Sequence, residues 1–107
     1  MEAINVTTVI LSEIIQLVDS VNATPVFVYL PSGHEISVDT ALTDGEKYFF
    51  AVCKMSEKVI CFSTRPDFAE KLAKGATFET EHWGPGAHLT AAESIYRHLV
   101  DERITDP

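Results

Sequence analysis

Residues 25 to 63 read PVFVYLPSGHEISVDTALTDGEKYFFAVCKMSEKVICFS, and the patterns within this stretch decide which fold we expect. Val26 to Leu30 is a run of β-branched and aromatic residues with the length of a strand, and it stops at the turn-forming residues Pro31 to His34. Glu35 to Asp39 then alternates polar and apolar residues, which is typical of a strand with one wet face. The two stretches together predict a β-hairpin.

Residues 43 to 64 carry two conflicting signals. Thr43 to Glu46 has the form of a helix capping box. Asp44-Gly45 is also a turn signal, however, and the aromatic-rich run that follows it favours a strand. We favour a strand over residues 47–54, with a helix as the alternative, and Val59 to Ser63 is then the next strand of a second hairpin.

Two cysteines lie within these apolar runs, Cys53 and Cys61. Such placement is typical of small buried hydrophobes in a reducing compartment, so we expect free thiols. In one hairpin register Cys53 faces Cys61, whereas a slip of one residue pairs Cys61 with Val52, so a disulfide is geometrically feasible but is not implied.

Residues 8 to 21 predict an amphipathic helix. At about 100° per residue, the apolar side chains span about 160° of this helix and the polar ones about 120°. The apolar face is broader than a surface helix requires, so either a sheet covers it deeply or part of it serves self-association, and we favour burial. Five polar residues exclude a membrane span: Ser12, Glu13, Gln16, Asp19 and Ser20.

The N-terminus predicts no export. Glu2 stands where a secretory signal would carry a basic stretch, and no small-residue cleavage site follows the apolar residues 6–21. Together with the expected free thiols, this predicts a cytoplasmic protein with no membrane association.

The second half of the chain predicts two helices and one further strand. Arg65 to Lys74 reads as a short helix closed by Gly75, and Ala76 to His82 alternates like a strand. A last helix opens at Thr90, where Thr90 to Glu93 forms a capping box. Asp67 with Lys71, and Glu70 with Lys74, have the i,i+4 spacing of helical ion pairs.

The expected fold is a single α+β domain over residues 1–107. Its element order is α-β-β-β-β-α-β-α. Sequential strands joined by short turns favour a two-layer arrangement, with a mainly antiparallel sheet of about four to five strands and helices packed on one face.

The charge of the chain limits its partners. Sixteen acidic residues stand against eight basic ones, for a net charge of −8, and residues 1–46 hold seven acids but no Lys or Arg. A negative field repels phosphate backbones, so the composition argues against direct nucleic-acid binding and favours basic partners. An acidic mimic of nucleic acid is a further interpretation.

Candidate binding residues cluster around the single tryptophan. Trp83 precedes Gly84-Pro85-Gly86 in a loop between the last predicted strand and helix, and His82 and His88 flank this loop. A tryptophan in a rigid loop is a frequent binding anchor. The alternative is that Trp83 folds back to cap the core, and this is the interpretation we favour. A pocket near this loop would also involve Tyr96.

The sequence predicts no catalytic residue, cofactor or metal. The histidines near Glu79 and Glu81 match no standard ligand spacing, and the cysteines have no adjacent histidine to activate them. We therefore expect a non-catalytic protein-binding module of the inhibitor, immunity or accessory type, which binds another protein and could form a homo-oligomer. The alternatives are a small-molecule-binding domain or small enzyme with a pocket near Trp83, and the acidic nucleic-acid mimic.

Overall fold

The computed structural model describes residues 2–39, 41–79 and 82–101. Within these ranges the chain is a small α+β protein with four α-helices and one two-stranded sheet. The elements in chain order are α1 (Glu2–Ser20), β1 (Val26–Tyr29), a short 3-10 helix (Gly33–Glu35), α2 (Asp44–Cys53), β2 (Ile60–Ser63), α3 (Arg65–Ala73) and α4 (Pro85–Asp101).

The sheet pairs β1 with β2 in parallel. The Ile60 N–H donates to the Pro25 carbonyl at 2.9 Å, and the Thr64 N–H donates to the Tyr29 carbonyl at 3.0 Å, so both strands advance in the same direction. Parallel strands need a long crossover, and the chain between β1 and β2 contains α2. The predicted antiparallel sheet of four to five strands, with its two hairpins, is therefore wrong.

Residues 35 to 39 form no strand because their polar side chains bind backbone nearby. The Ser37 hydroxyl accepts a hydrogen bond from the Asp39 N–H at 3.3 Å, and the Asp39 carboxylate accepts one from the Ala41 N–H at 3.0 Å. Such local bonds offer the backbone an alternative to a sheet ladder. The polar alternation that predicted a strand therefore stabilises a bent segment.

Residues 44 to 53 form α2, so the strand predicted over residues 47–54 is also wrong and the helix alternative holds. Lys47 and Ala51 are exposed, whereas Phe49 is half-buried. A strand would place all three side chains on one face, whereas a helix separates Phe49 from the other two. The helical turn thus buries aromatic surface that a strand would leave in water.

The last two helices differ in how well the sequence predicts them. α3 confirms the helix predicted from Arg65, and Gly75 follows it with a φ of +100°. α4 begins at Pro85, five residues before the predicted start, because proline is well suited to the first helical position. The Thr90 hydroxyl donates to the Gly86 carbonyl at 2.8 Å, so it bonds within the helix and is no cap.

The strand predicted over Ala76 to His82 is not formed by those of its residues that the structure describes, 76–79 and 82. Phe78 instead packs against the buried core residues around Phe68. Thr80 and Glu81 lie outside the described residues.

The described residues group into two compact units. The first contains residues 2–27 and 44–61, and its buried apolar side chains include Ile15 and Val52. α1 and α2 meet there through the hydroxyls of Thr8 and Tyr48, which are 2.9 Å apart. None of the helices within residues 2–39, 41–79 and 82–101 has both the length and the apolar character to cross a membrane.

The second unit contains residues 28–39, 41–43, 62–79 and 82–101. Its core joins α3 to α4, where Phe68 is fully buried beside Ala87 and Ala91. Phe62, also buried, stacks on the ring of His98 with the ring centroids 4.2 Å apart. The small alanine side chains of α4 let the Phe68 ring lie close to the helix backbone.

A disulfide joins the two cysteines, so the expectation of free thiols is wrong. Cys53 ends α2 and Cys61 lies in β2, and their Cα atoms are 6.3 Å apart. The bond closes a short loop within the first unit and connects the crossover helix to the strand that follows it.

Glu35 connects the end of β1 to the segment that follows it through hydrogen bonds to its carboxylate. Its carboxylate accepts hydrogen bonds from the Tyr29 hydroxyl at 2.5 Å, the Thr43 hydroxyl at 2.7 Å and the Ser32 N–H at 2.9 Å. Partial burial opposes ionisation, but these hydrogen bonds outweigh it and lower the pKa of Glu35 below its ordinary value of 4.5.

We expect Glu35→Gln to remove a pH-dependent part of the stability. Because the pKa of Glu35 is lower in the folded state, its contribution is fully present above pH 4.5 and is lost as the pH falls through the folded-state value. Urea unfolding should therefore show a gap in the free energy of unfolding between wild type and variant that is widest near neutral pH and narrows as the pH falls below 4.5. A gap that stays constant across this range would contradict the assignment.

Candidate functional site

Trp83 packs against the core of the second unit. Its ring centroid lies 5.3 Å from that of Phe68 and 5.5 Å from that of His88, which meets it edge to face. The indole is half-buried, and His88 is exposed. The structure thus brings two of the predicted binding residues together on one side of the core.

The other two predicted residues, His82 and Tyr96, lie in different surroundings. His82 is exposed in the chain before α4, and Tyr96 is 60% exposed on α4. Tyr96 borders a groove between α3 and α4, and none of the other three predicted residues is among the described residues that line it. The predicted pocket around Trp83, His82, His88 and Tyr96 is therefore not the cavity that Tyr96 lines.

The groove between α3 and α4 has a volume of about 380 Å³. At its base, the Asp67 carboxylate accepts hydrogen bonds from the Ser94 hydroxyl and from Arg97 Nη2, whose distances to the two carboxylate oxygens are 2.5 and 2.6 Å. Both partners come from α4, so Asp67 fastens α3 to α4. The sequence spacing instead predicted that Asp67 pairs with Lys71 along α3.

An ion pair borders the groove. Lys74 Nζ lies 2.8 Å from a carboxylate oxygen of Glu70, which confirms the predicted i,i+4 pair. The hydrogen bond and the charge of Lys74 lower the pKa of Glu70, and the same contact raises the pKa of Lys74. Both groups are fully exposed, so solvent screens the pair and it contributes little to stability.

The chemistry of the groove fits binding better than catalysis. Ser94 is buried, and its hydroxyl donates to the Asp67 carboxylate, which also binds Arg97. A serine nucleophile needs access to substrate, and burial denies Ser94 that access. Within the described ranges, His, Cys, Asp and Glu side chains form no group of three or more that could hold a metal ion.

A second and smaller cavity, of about 280 Å³, lies beside Arg65. Arg65 is almost fully buried, and its guanidinium donates to the carbonyls of Asp39 at 3.0 Å and Ala41 at 2.5 Å. These bonds hold the segment before α2 against the start of α3. The sequence pattern identifies Arg65 only as the first residue of a helix and does not predict this role.

We expect Arg65→Lys to loosen the segment over residues 36–43. A lysine keeps the charge but cannot present two donors in a fixed fork, so one carbonyl loses its partner at a cost of about 1 kcal/mol. Hydrogen exchange should show faster exchange of the amides near Asp39 and Ala41, with little change in α1. Unchanged exchange in this segment would contradict the role assigned to Arg65.

The largest exposed apolar feature of the first unit is on α1. Ile15 is buried, and Leu11 and Val18 are half-buried beside it. The remaining aliphatic residues of this side form what we call the α1 stripe. Its five exposed members are Val6, Ile10, Ile14, Leu17 and the turn residue Val21.

The α1 stripe is narrow and continuous. At about 100° per residue, its five positions fall within about 80° of the helix circumference. The structure therefore covers only part of the apolar face that the sequence predicted would be buried. The sequence signal for this exposed surface is the breadth of the apolar face, from which we predict mainly burial in the core.

The fold and these surfaces define a small α+β protein with a parallel two-stranded sheet, a helix-lined groove and an exposed aliphatic helix face. Comparisons of the chain with protein-family models, with curated proteins and with solved structures find no match. The chain's own surfaces therefore provide the basis for a functional proposal.

Proposed function

We propose that this chain is a non-catalytic protein-binding module that binds through the α1 stripe. The observation that carries this proposal is the exposure of five aliphatic side chains in one row, from 39% for Ile14 to 70% for Leu17 and Val21. Isolated exposed aliphatic residues are normal, but a contiguous row of this kind is typical of a protein interface. An inhibitor, immunity or accessory role fits such a surface.

Affinity capture with matched variants tests the proposal. Tagged wild type, Leu17→Glu and Gln16→Glu are used as bait in lysate of cells that also make the untagged chain. Gln16 is exposed and lies off the stripe, so it receives the same charge at a neighbouring position. We expect wild type and Gln16→Glu to retain the same polypeptides and Leu17→Glu to lose them.

Two results would contradict a binding role for the stripe. One is retention of no polypeptide by wild type, and the other is equal retention by all three baits.

The response to salt distinguishes binding through the stripe from the remaining interpretation, an acidic mimic of nucleic acid. A mimic should lose its partner steeply as the salt concentration rises, because its contacts are ionic, whereas an apolar contact should persist.

A small-molecule-binding role is the second proposal, and the groove between α3 and α4 favours it. Its volume of about 380 Å³ lies within the range of ligand pockets, and it combines the Tyr96 ring with several charged side chains. Native mass spectrometry of the purified chain tests this role. A retained small molecule that is lost in Tyr96→Ala would support it, and its absence in wild type would count against it.

We also propose a cytoplasmic location. The disulfide argues the other way, because cytosolic reductants keep most thiols reduced. Alkylation inside intact cells before lysis tests the location, because modification of both Cys53 and Cys61 would support a reducing compartment. An unmodified, bonded pair would contradict a reducing compartment.

A further inference from the structure

We infer that the α1 stripe pairs with the α1 stripe of a second copy of this chain, in a parallel two-helix arrangement. The inference rests on the proposed binding role of the stripe and names its occupant. It goes further in giving the orientation and the strength of the contact.

The spacing of the stripe is that of a two-stranded coiled coil. Ile10, Ile14, Leu17 and Val21 follow one another at intervals of four, three and four residues, which is how d and a positions alternate in a heptad. Ile14 and Val21 are β-branched residues at a positions, Val21 in the turn just after α1, and Ile10 and Leu17 stand at d positions. β-Branched residues at a positions with leucine at d favour two parallel strands, which is the pattern that Ile14, Leu17 and Val21 follow, so this part of the stripe complements its own copy.

The neighbouring side chains fit the same arrangement. Leu11 and Val18, at the e positions, are half-buried, and Val6, at a g position, extends the exposed apolar surface on the other flank. Asp19 lies on the far side of α1, where its carboxylate is 3.0 Å from Lys58 Nζ. The five stripe residues themselves are all uncharged.

The area of the stripe suits a weak dimer. If all the surface that the five residues expose were covered, about 1,100 Å² would be buried for the pair, which is an upper limit for this contact. That limit lies close to the roughly 1,000 Å² that a specific interface needs. We therefore expect a dissociation constant in the micromolar range.

The net charge gives the dimer a distinctive response to salt. Each copy carries a net charge of −8, so two copies repel each other at long range. Salt screens that repulsion, with a Debye length of about 10 Å at 0.1 M, while it leaves the apolar contact intact. Dimerisation should therefore strengthen as salt is added, whereas docking of a basic partner would weaken.

Sedimentation velocity on the purified full chain tests the pairing. Wild type and Gln16→Glu should move from a monomer of 11.8 kDa towards twice that mass as their concentration rises through the micromolar range. Leu17→Glu, which places two like charges in the seam, should weaken association at least tenfold. Circular dichroism should show the same helix content for all three, because Leu17 is mostly exposed.

Three results would overturn the inference. They are a wild type that remains monomeric up to about 1 mM, a Leu17→Glu variant that dimerises as wild type does, and a dimer that weakens with added salt. If the wild type is monomeric but retains lysate partners that the Leu17→Glu variant loses, the stripe binds a different protein. The inference of a dimer is then wrong, while the proposed binding function stands.

Disulfide cross-linking tests the parallel orientation. Val21→Cys adds one thiol to a chain whose two native cysteines are bonded to each other. In a parallel pair the two substituted positions meet in the seam, so oxidised glutathione should convert most of the protein to a covalent dimer. Val9→Cys, which is exposed but off the stripe, is the matched control and should cross-link much less. Equal cross-linking of the two variants would rule out the parallel seam.

Discussion

Phe68→Ala should lower the free energy of unfolding by about 3–5 kcal/mol, which is the usual cost of removing a fully buried phenylalanine ring. The ring is 0% exposed, and its centroid lies 5.1 Å from that of Phe78 and 5.3 Å from that of Trp83. Its loss would leave a cavity against α4 at Ala87 and Ala91. Since small domains are stable by only about 5–15 kcal/mol, the variant should be partly unfolded at 37 °C.

Urea unfolding followed by both Trp83 fluorescence and circular dichroism measures this effect. Trp83 is the single tryptophan and touches Phe68, so its emission reports on the same packing. Phe68→Leu is the control, because it refills much of the volume and should cost clearly less. Trp83→Ala should also cost less than Phe68→Ala, since the indole is only half-buried. A Phe68→Ala variant within 1 kcal/mol of wild type would contradict this account of the core.

Loss of the disulfide between Cys53 and Cys61 should lower the free energy of unfolding by about 2.5 kcal/mol. The bond connects residues eight positions apart, so it removes the entropy of a short loop from the unfolded chain. Because the bond links α2 to β2, its loss should also speed amide exchange at the C-terminal end of α2.

The double variant Cys53→Ala/Cys61→Ala separates the bond from other effects of reductant. Oxidised wild type should lose stability on addition of dithiothreitol, whereas the double variant should not respond to it. Thiol titration of the unfolded protein gives the redox state in each sample. Equal stability of wild type with and without reductant would show that the bond adds nothing.

Much of the helical structure could be predicted from local patterns. α1 and α3 follow apolar periodicity and recognisable end signals, and β1 and β2 follow short β-branched and aromatic runs. The Glu70–Lys74 pair could be predicted too, because the spacing of two residues on one helix decides it. These features depend on residues within a few positions of one another.

The errors fall where distant residues decide the outcome. Asp67 pairs across to Arg97 on α4 rather than along α3. Polar alternation over residues 35–39 predicted a strand, but local side-chain bonds and the anchor from Arg65 bend this segment. Spacing along the chain contains no information about such partners.

By itself, the sequence determined the bounds of α3, β1 and β2 to within a residue and the existence of α1 and α4, since the hydrophobic period and the end signals act within a single element. Only the tertiary structure decided that β1 and β2 run in parallel and that the stretch between them winds into α2, because strand pairing depends on crossover contacts between distant residues. It also decided how much of α1 is covered. A broad apolar face predicts that burial is needed, but only packing shows that Ile15 lies inside while Leu17 remains exposed.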